Sequence, residues 1–257
     1  MEQDQLLGRH QPLTDGGRAA TALLIAAHGE RRPGAGNEGV RRIARVLAAR
    51  GQVAEVAVGF ISGTPTIREA LSSLGARKII VYPLFASSGY FTRDRLVQLL
   101  DEANAQDRAI EILPPLGLDP GLPDLVLGRV RQVARENGFA SKVTSLVLLA
   151  HGSRRNPASR QATELVAGEI ARRGVVREVR AAFLEETPFL EQAVRSIEGA
   201  VIVMGMFSGE GLHGARDAPR LIAQLRRRDI VYVGVIGNAP GIADVISGAV
   251  QAELDRC

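Results

Sequence analysis

The chain contains two copies of one pattern, separated by 123 residues. A short apolar run ends on His28-Gly29 in the first copy and on His151-Gly152 in the second, and paired arginines follow each time. The same offset relates Thr64-Pro65 to Thr187-Pro188. A period of this length lies far above the roughly 20–50 residues of solenoid repeats. The sequence therefore predicts a duplicated domain.

Each copy alternates apolar runs with helical patterns. The runs Ala22–Ala27 and Leu146–Ala150 carry no charge, as is typical of strands that are buried on both faces of a parallel sheet. Strands that alternate with helices imply parallel sheets with right-handed crossovers. The predicted fold class is α/β, with two tandem doubly wound domains, each a sheet of about four parallel strands with flanking helices. Thr64-Pro65 and Thr187-Pro188 are predicted to open helices, with Thr as the N-cap and Pro at the first helical position.

Three segments are expected along the chain. Residues 1–17 lack the basic start and long apolar centre of a signal peptide and are interpreted as a flexible tail. The domains are expected at 18–140 and 141–257, with the polar joint Gly138–Thr144 between them. No apolar run approaches the roughly 18 residues that a membrane helix requires. The single cysteine, Cys257, excludes a disulfide framework and favours a reducing compartment, so we expect a cytoplasmic protein without a membrane partner.

The charge balance is mildly basic, with 32 Lys and Arg against 28 Asp and Glu among 257 residues. The basic residues are scattered and aromatic residues make up only 4%, so stacking platforms are scarce and no nucleic-acid partner is expected. A compositional bias towards arginine is one remaining interpretation of this excess. The other is that some arginines recognise carboxylates of an acidic substrate, which suits the planar guanidinium group.

Three side chains of the second copy follow three different strands: His151, Glu185 and His213. The carboxyl ends of parallel strands share one edge of a doubly wound sheet, so these side chains can converge there. Two imidazoles and a carboxylate suit a divalent first-row metal and leave coordination positions open.

The first copy retains His28 but not the other two residues. At the 123-residue offset, Ser62 matches Glu185 and Tyr90 matches His213, and neither is a good metal ligand at neutral pH. The sequence therefore predicts one metal site per chain, in the second half.

With these residues in place, the chain resembles the class II tetrapyrrole chelatases, the CbiX, CbiK and SirB group of sirohydrochlorin cobaltochelatases and ferrochelatases. The resemblance covers residues 21–254 and rests on His151-Gly152-Ser153-Arg154, on the strand end Ala182–Glu185 before Thr187-Pro188, and on Gly211-Leu212-His213 with Arg216-Asp217. The complete ligand set in the second half is similar to the CbiK arrangement.

The resemblance implies a lyase that inserts Co²⁺ or Fe²⁺ into sirohydrochlorin or a related tetrapyrrole without ATP, in cobalamin or sirohaem biosynthesis. It also implies that the metal and the macrocycle bind in a cleft between the two domains, where His151 and His213 bind the metal, with Glu185 as the third ligand or proton acceptor. Nitrogen and oxygen ligands accept Co²⁺, Fe²⁺ or Ni²⁺, which would be a substrate, with no tightly bound cofactor. The family substrate is a polycarboxylate, which makes Arg154, Arg155 and Arg216 candidate carboxylate clamps. The protein is expected to be a monomer or a homo-oligomer.

Two other functions stay open. A carrier that binds a metal or tetrapyrrole without turnover fits the divergence of the first half. A phosphohistidine phosphatase fits His28-Gly29-Glu30 less well, because Ala27 and Ala150 stand where that family has arginine. Glycine-rich loops at Gly29 and Gly209 could cradle phosphate, but the chain has neither a GxGxxG motif nor a Walker lysine.

Overall fold

A computed structural model describes residues 21–29, 37–104, 107–209, 211 and 213–256, except for the side chain of His213. The predicted tail, residues 1–17, lies outside the described residues. No helix within these ranges combines the length and the apolar character needed to cross a bilayer. The elements are β1 (Thr21–Ala27), α1 (Glu38–Arg50), β2 (Glu55–Phe60), α2 (Ile67–Ser73), β3 (Lys78–Pro83), α3 (Leu96–Ala103), β4 (Ala109–Ile112), α4 (Leu122–Glu136), β5 (Ser145–Ala150), α5 (Ala158–Arg172), β6 (Val179–Phe183), α6 (Leu190–Val194), β7 (Val201–Gly205), α7 (Ala218–Gln224), β8 (Ile230–Val235) and α8 (Ile242–Leu254).

Each half forms one four-stranded parallel sheet, which confirms the predicted fold class. The strand orders are β2-β1-β3-β4 and β6-β5-β7-β8. The repeat is kept in the pairing, since Ala27 pairs with Phe60 and Ala150 pairs with Phe183. In both sheets the strand order reverses direction at the first strand of the half. This creates a crevice outside the carboxyl ends of β1 and β3 in the first sheet, and of β5 and β7 in the second. Ligands of doubly wound folds bind in such a crevice.

The two Thr-Pro pairs do not open helices, and this prediction was wrong by two residues. Both peptide bonds are cis, and α2 and α6 begin only at Ile67 and Leu190. The carbonyl oxygen of each proline instead accepts a hydrogen bond of 2.9 Å from the last residue of the preceding strand, Phe60 or Phe183. The Thr-Pro turn therefore closes back on the strand end before the helix begins.

The two halves share one core. The inner faces of both sheets belong to a single continuous cluster of buried side chains, together with α1, α4, α5 and α8. The outer faces are covered separately, by α2 and α3 in the first half and by α6 and α7 in the second. The molecule is therefore layered, with four helices packed between the two sheets.

Polar contacts also join the halves. Lys78 at the start of β3 lies 3.8 Å from Glu253 in α8. Gln52, after α1, donates to the carbonyl oxygen of Ser247 at 2.9 Å. Since α8 is the last helix of the second half, these contacts bind it to the first half.

Candidate metal and substrate site

His151 and Glu185 lie next to each other at the carboxyl edge of the second sheet. The turn after β5 carries His151, and its carbonyl oxygen accepts a 3.0 Å hydrogen bond from the amide of Glu185, which follows β6. The two side chains converge, with His151 Nε2 3.7 Å from Glu185 Oε1. Both remain accessible, at 41% and 58% exposure of the side chain. The strand ends thus bring together two of the three predicted metal ligands.

The protonation of the imidazole suits metal binding. His151 Nδ1 lies 2.9 Å from the carbonyl oxygen of Gly152, and a carbonyl only accepts, so Nδ1 carries the proton of the neutral ring. Nε2 is then the unprotonated nitrogen of the ring and lies 3.7 Å from Glu185 Oε1. One ion bound to a nitrogen and an oxygen at about 2.0–2.2 Å separates them by about 3.4 Å at a tetrahedral angle. The observed spacing needs only a small adjustment to hold one divalent cation.

Glu186 fixes the turn that carries His151. Its Oε1 accepts from the amide of Ser153 at 2.9 Å, and its Oε2 accepts from Arg160 Nη2 at 2.8 Å. The Arg160 guanidinium also lies 4.5 Å above the ring centre of Phe183 and donates to the carbonyl oxygen of Thr187. The glutamate thereby joins the turn after β5 to the chain after β6, on which Glu185 lies.

This ion pair keeps Glu186 charged. Burial acts to raise the pKa of Glu186, but the hydrogen bonds from the Ser153 amide and from Arg160 outweigh it and hold the pKa below the ordinary range. The hydrogen bond to Glu186 raises the pKa of Arg160 in turn. An anion fixed in this way is a structural partner of the turn rather than a proton carrier.

The third predicted ligand, His213, is described only by its backbone. It is the first residue of a π-helical turn, His213–Asp217, which leads into α7. The corresponding turn of the first half is Phe91–Arg95. The structure therefore aligns His213 with Phe91, and the expected match to Tyr90 was wrong by one residue.

The shift arises in the third strand of each half. Ala26 and Leu149 are equivalent at the 123-residue offset, yet Ala26 pairs with Pro83 and Leu149 pairs with Gly205, which are separated by 122 residues. The amides of Leu84 and Met206, which are also 122 residues apart, donate to the carbonyl oxygens of Ala26 and Leu149 and so show the same shift. One residue is therefore missing from the second half between α6 and β7, and everything up to the π-helical turn moves with it.

The first half keeps the turn but not the other two predicted ligands. His28 Nδ1 lies 3.0 Å from the carbonyl oxygen of Gly29, as His151 does from that of Gly152. Ser62, which is only 7% exposed, stands at the position of Glu185. The ring of Phe91 contacts His28 edge to face, with 4.7 Å between ring centres. No carboxylate or second imidazole follows the strands at these two positions.

Both halves line one cavity of about 590 Å³. Its volume lies within the range of about 300–1,000 Å³ that is usual for ligand sites. His28, Tyr90 and Phe91 line it from the first half, and His151 and Phe207 line it from the second. The two histidine turns therefore face one ligand space.

The predicted carboxylate clamps lie outside this cavity. Arg154, Arg155 and Arg216 are exposed and are not among the residues that line it. Among the described side chains, no three His, Cys, Asp or Glu residues form a group that could hold a metal ion. The side chain of His213 is not among those described. The three-residue metal site and the arginine clamps stay predictions.

Sequence reasoning gave Glu186 no role distinct from that of Glu185 and missed Arg160. A signal was present, because the offset of 123 residues matches Glu186 with Gly63 and Arg160 with Asn37. Both members of the ion pair are absent together from the half that lacks the predicted ligand set. When two positions differ together between repeats in this way, the difference indicates that the two residues contact each other.

Comparisons with a family model, with related sequences and with solved structures all find chelatases of the CbiX type. The family model CbiX matches residues 22–133 and 145–253. A probable sirohydrochlorin cobaltochelatase of Halobacterium salinarum is 26% identical over 260 residues, covering 88% of this chain and 89% of that protein. The structure of CbiX described as the terminal enzyme for biosynthesis of siroheme in denitrifying bacteria is 30% identical, with a TM-score of 0.72 over 90% of this chain and 98% of that one.

A more distant structure supports the fold alone. SirB from Bacillus subtilis with Fe³⁺ is 19% identical, with a TM-score of 0.75 over 90% of this chain and 94% of that one. The match of the family model is the stronger finding, because it covers most of both halves and includes His28, His151, Glu185 and His213. The chain belongs to the CbiX family.

Proposed function

We propose that the protein inserts a divalent metal, Co²⁺ or Fe²⁺, into sirohydrochlorin, and that it does so without ATP as a lyase of cobalamin or sirohaem biosynthesis. The observation that carries this proposal is the His151–Glu185 pair, with 3.7 Å between Nε2 and Oε1 beside a cavity that both halves line. The choice of substrate draws support from the relatives, one called a probable sirohydrochlorin cobaltochelatase and another a terminal enzyme of siroheme biosynthesis.

The second half holds the incoming metal. His151 and Glu185 supply a nitrogen and an oxygen ligand, and His213, at the start of the π-helical turn, supplies the second imidazole. Three protein ligands leave positions at which water is exchanged for pyrrole nitrogens. Mixed nitrogen and oxygen ligands do not select strongly among Co²⁺, Fe²⁺ and Ni²⁺, so supply of the metal contributes to the choice.

The macrocycle occupies the cavity between the halves. Its apolar faces pack against the aromatic lining, and its carboxylates extend towards the rim. Arg154 and Arg155 follow the His151 turn and are exposed, and Arg216 is exposed in the π-helical turn. Guanidinium groups at a rim can bind carboxylates bidentately without entering the cavity.

The test is an anaerobic insertion assay with sirohydrochlorin and Co²⁺ or Fe²⁺, followed by the absorption of the macrocycle. Wild type should accelerate insertion over the reaction without protein, and competition between the metals ranks them. His151→Ala and His213→Ala should lose most of the acceleration, together with Co²⁺ binding measured by calorimetry, and should keep the far-ultraviolet circular dichroism of the fold.

A matched pair of carboxylate variants serves as control. Glu185→Gln removes a proposed ligand, whereas Glu191→Gln removes a carboxylate that is 73% exposed and pairs with Arg195 in the next helical turn. Only the first should weaken Co²⁺ binding. Retained turnover in His213→Ala contradicts the ligand assignment. A shifted macrocycle spectrum without insertion by wild type identifies a binding protein instead of a chelatase.

A further inference from the structure

His28 keeps the geometry of the His151 turn, but the described side chains around it do not complete a metal site. Its ring is oriented as that of His151 is, by Nδ1 and the carbonyl oxygen of the following glycine, at 3.0 Å and 2.9 Å. The two neighbouring ligand positions are taken by Ser62 and Phe91. A serine hydroxyl and a phenyl ring leave His28 as a single imidazole, which is a weak site for a divalent ion.

The contacts of His28 nevertheless hold the ring in position. The edge-to-face contact with Phe91 at 4.7 Å and the hydrogen bond at Nδ1 restrict the imidazole from two sides. Because Nδ1 carries the proton, Nε2 is the basic atom of the neutral ring. His28 is exposed and lines the same cavity as His151, from the opposite half.

The proposed reaction needs such a group. A free-base tetrapyrrole carries two pyrrole N–H groups, and inserting M²⁺ releases both protons. A nitrogen that coordinates the incoming metal cannot take a proton at the same time. A base outside the metal site avoids this conflict, and imidazole is the side chain that most often serves as a general base.

We propose that His28 is a further catalytic residue, the proton acceptor for the pyrrole N–H groups, which acts from the first half while the second half holds the metal. This role rests on the proposed chelatase function. His28 Nε2 takes one pyrrole proton as the metal–nitrogen bonds form and passes it to water, which its exposure permits; it then takes the second. The products are the metallated macrocycle and two protons in solution, and no redox change occurs.

The test compares the two repeat-related histidines. His28→Ala should bind Co²⁺ with wild-type affinity in calorimetry, whereas His151→Ala should lose this binding. The insertion rate of His28→Ala with saturating sirohydrochlorin should fall by about 10²–10⁴-fold, the usual contribution of a positioned general base. Added imidazole should restore part of the rate, because it fits the space left by the ring. A merely structural role would not give this rescue.

A second variant guards against a folding defect. His28→Gln fills the same space but accepts no proton, so it should be as slow as His28→Ala and should not respond to imidazole. Insertion at the wild-type rate in His28→Ala overturns the role of His28 alone, and so does loss of Co²⁺ binding, which would make His28 a metal ligand. Failure of the wild-type protein to insert any metal contradicts the chelatase function itself, and the role of His28 with it.

Discussion

Glu186 joins the two segments that carry His151 and Glu185. Its carboxylate accepts from the Ser153 amide on one side and from Arg160 on the other, and its side chain is only 15% exposed. Residues that hold metal ligands in this way commonly change metal affinity by about 10–100-fold when mutated. Glu186 is therefore a positioning residue for the proposed metal site.

The variant Glu186→Gln should weaken both folding and metal binding. It retains an acceptor for the Ser153 amide but loses the charge that pairs with Arg160, so we expect about 1–3 kcal/mol less free energy of unfolding. Affinity for Co²⁺ should fall by about 10-fold. Urea denaturation and calorimetry measure the two effects.

The control is Glu164→Gln, which removes the other carboxylate on Arg160. That side chain is 51% exposed and lies one helical turn away, so its loss should change unfolding by no more than about 0.5 kcal/mol. Equal effects of the two substitutions would contradict a special role for Glu186.

The sign of the pH dependence follows from the lowered pKa of Glu186. A carboxyl group whose pKa is lower in the folded state contributes stability that is fully present when the pH lies above its ordinary pKa of 4.5. That stability is lost as the pH falls through the pKa of the folded state. The stability difference between metal-free wild type and Glu186→Gln should therefore be largest near neutral pH and shrink in acid.

At the scale of elements, one missing residue changes which side chain faces the histidine turn. The third strand of the second half pairs with β5 one position out of step with the repeat. The π-helical turn moves with that strand, so Phe91 and not Tyr90 corresponds to His213. The two halves therefore differ as His to Phe at the position of the third proposed ligand, and the ring centre of this phenylalanine lies 4.7 Å from that of His28.

Phe91→His should restore a metal site in the first half. With His28 already oriented, a second imidazole at this position supplies two nitrogen ligands, and Co²⁺ titration should show a second, weaker equivalent per chain. Tyr90→His is the matched control, because it is the change that the 123-residue offset favours. Equilibrium dialysis counts the bound metal, and a second equivalent in Tyr90→His but not in Phe91→His would contradict the structural alignment.

At the scale of the whole molecule, the shared layer of helices sets the position of the cavity. The inner faces of both sheets pack on α1, α4, α5 and α8 as one cluster, so the carboxyl edges of β1 and β5 are held around a common space. The cavity is thus a product of duplication, because two similar edges face one space with different side chains.

The sequence was sufficient to predict the two parallel sheets and the edge that carries His151 and Glu185, but not the shared core or the register shift. The apolar runs and their polar ends predicted the parallel sheets and placed His151 and Glu185 at one edge, because strand order does not alter which edge the carboxyl ends occupy. Periodicity shows that a face is buried but not which element covers it, so the shared core was not predicted. The register shift was missed because matching residues on both sides of a deletion conceal it.

The shared core should make the two halves unfold together. Ile25 in β1 and Leu148 in β5 are repeat-related, fully buried and part of the same cluster. Substituting either with Ala should remove about 2–5 kcal/mol of unfolding free energy and lower one common transition, since each cavity opens in the core of both halves. Calorimetry should give a single peak, and hydrogen exchange should show that Ile25→Ala lowers protection in β5–β8 as much as in β1–β4. Protection that falls only in the first sheet would mean that each half holds itself together, and the cavity would then lie between two independently stable bodies.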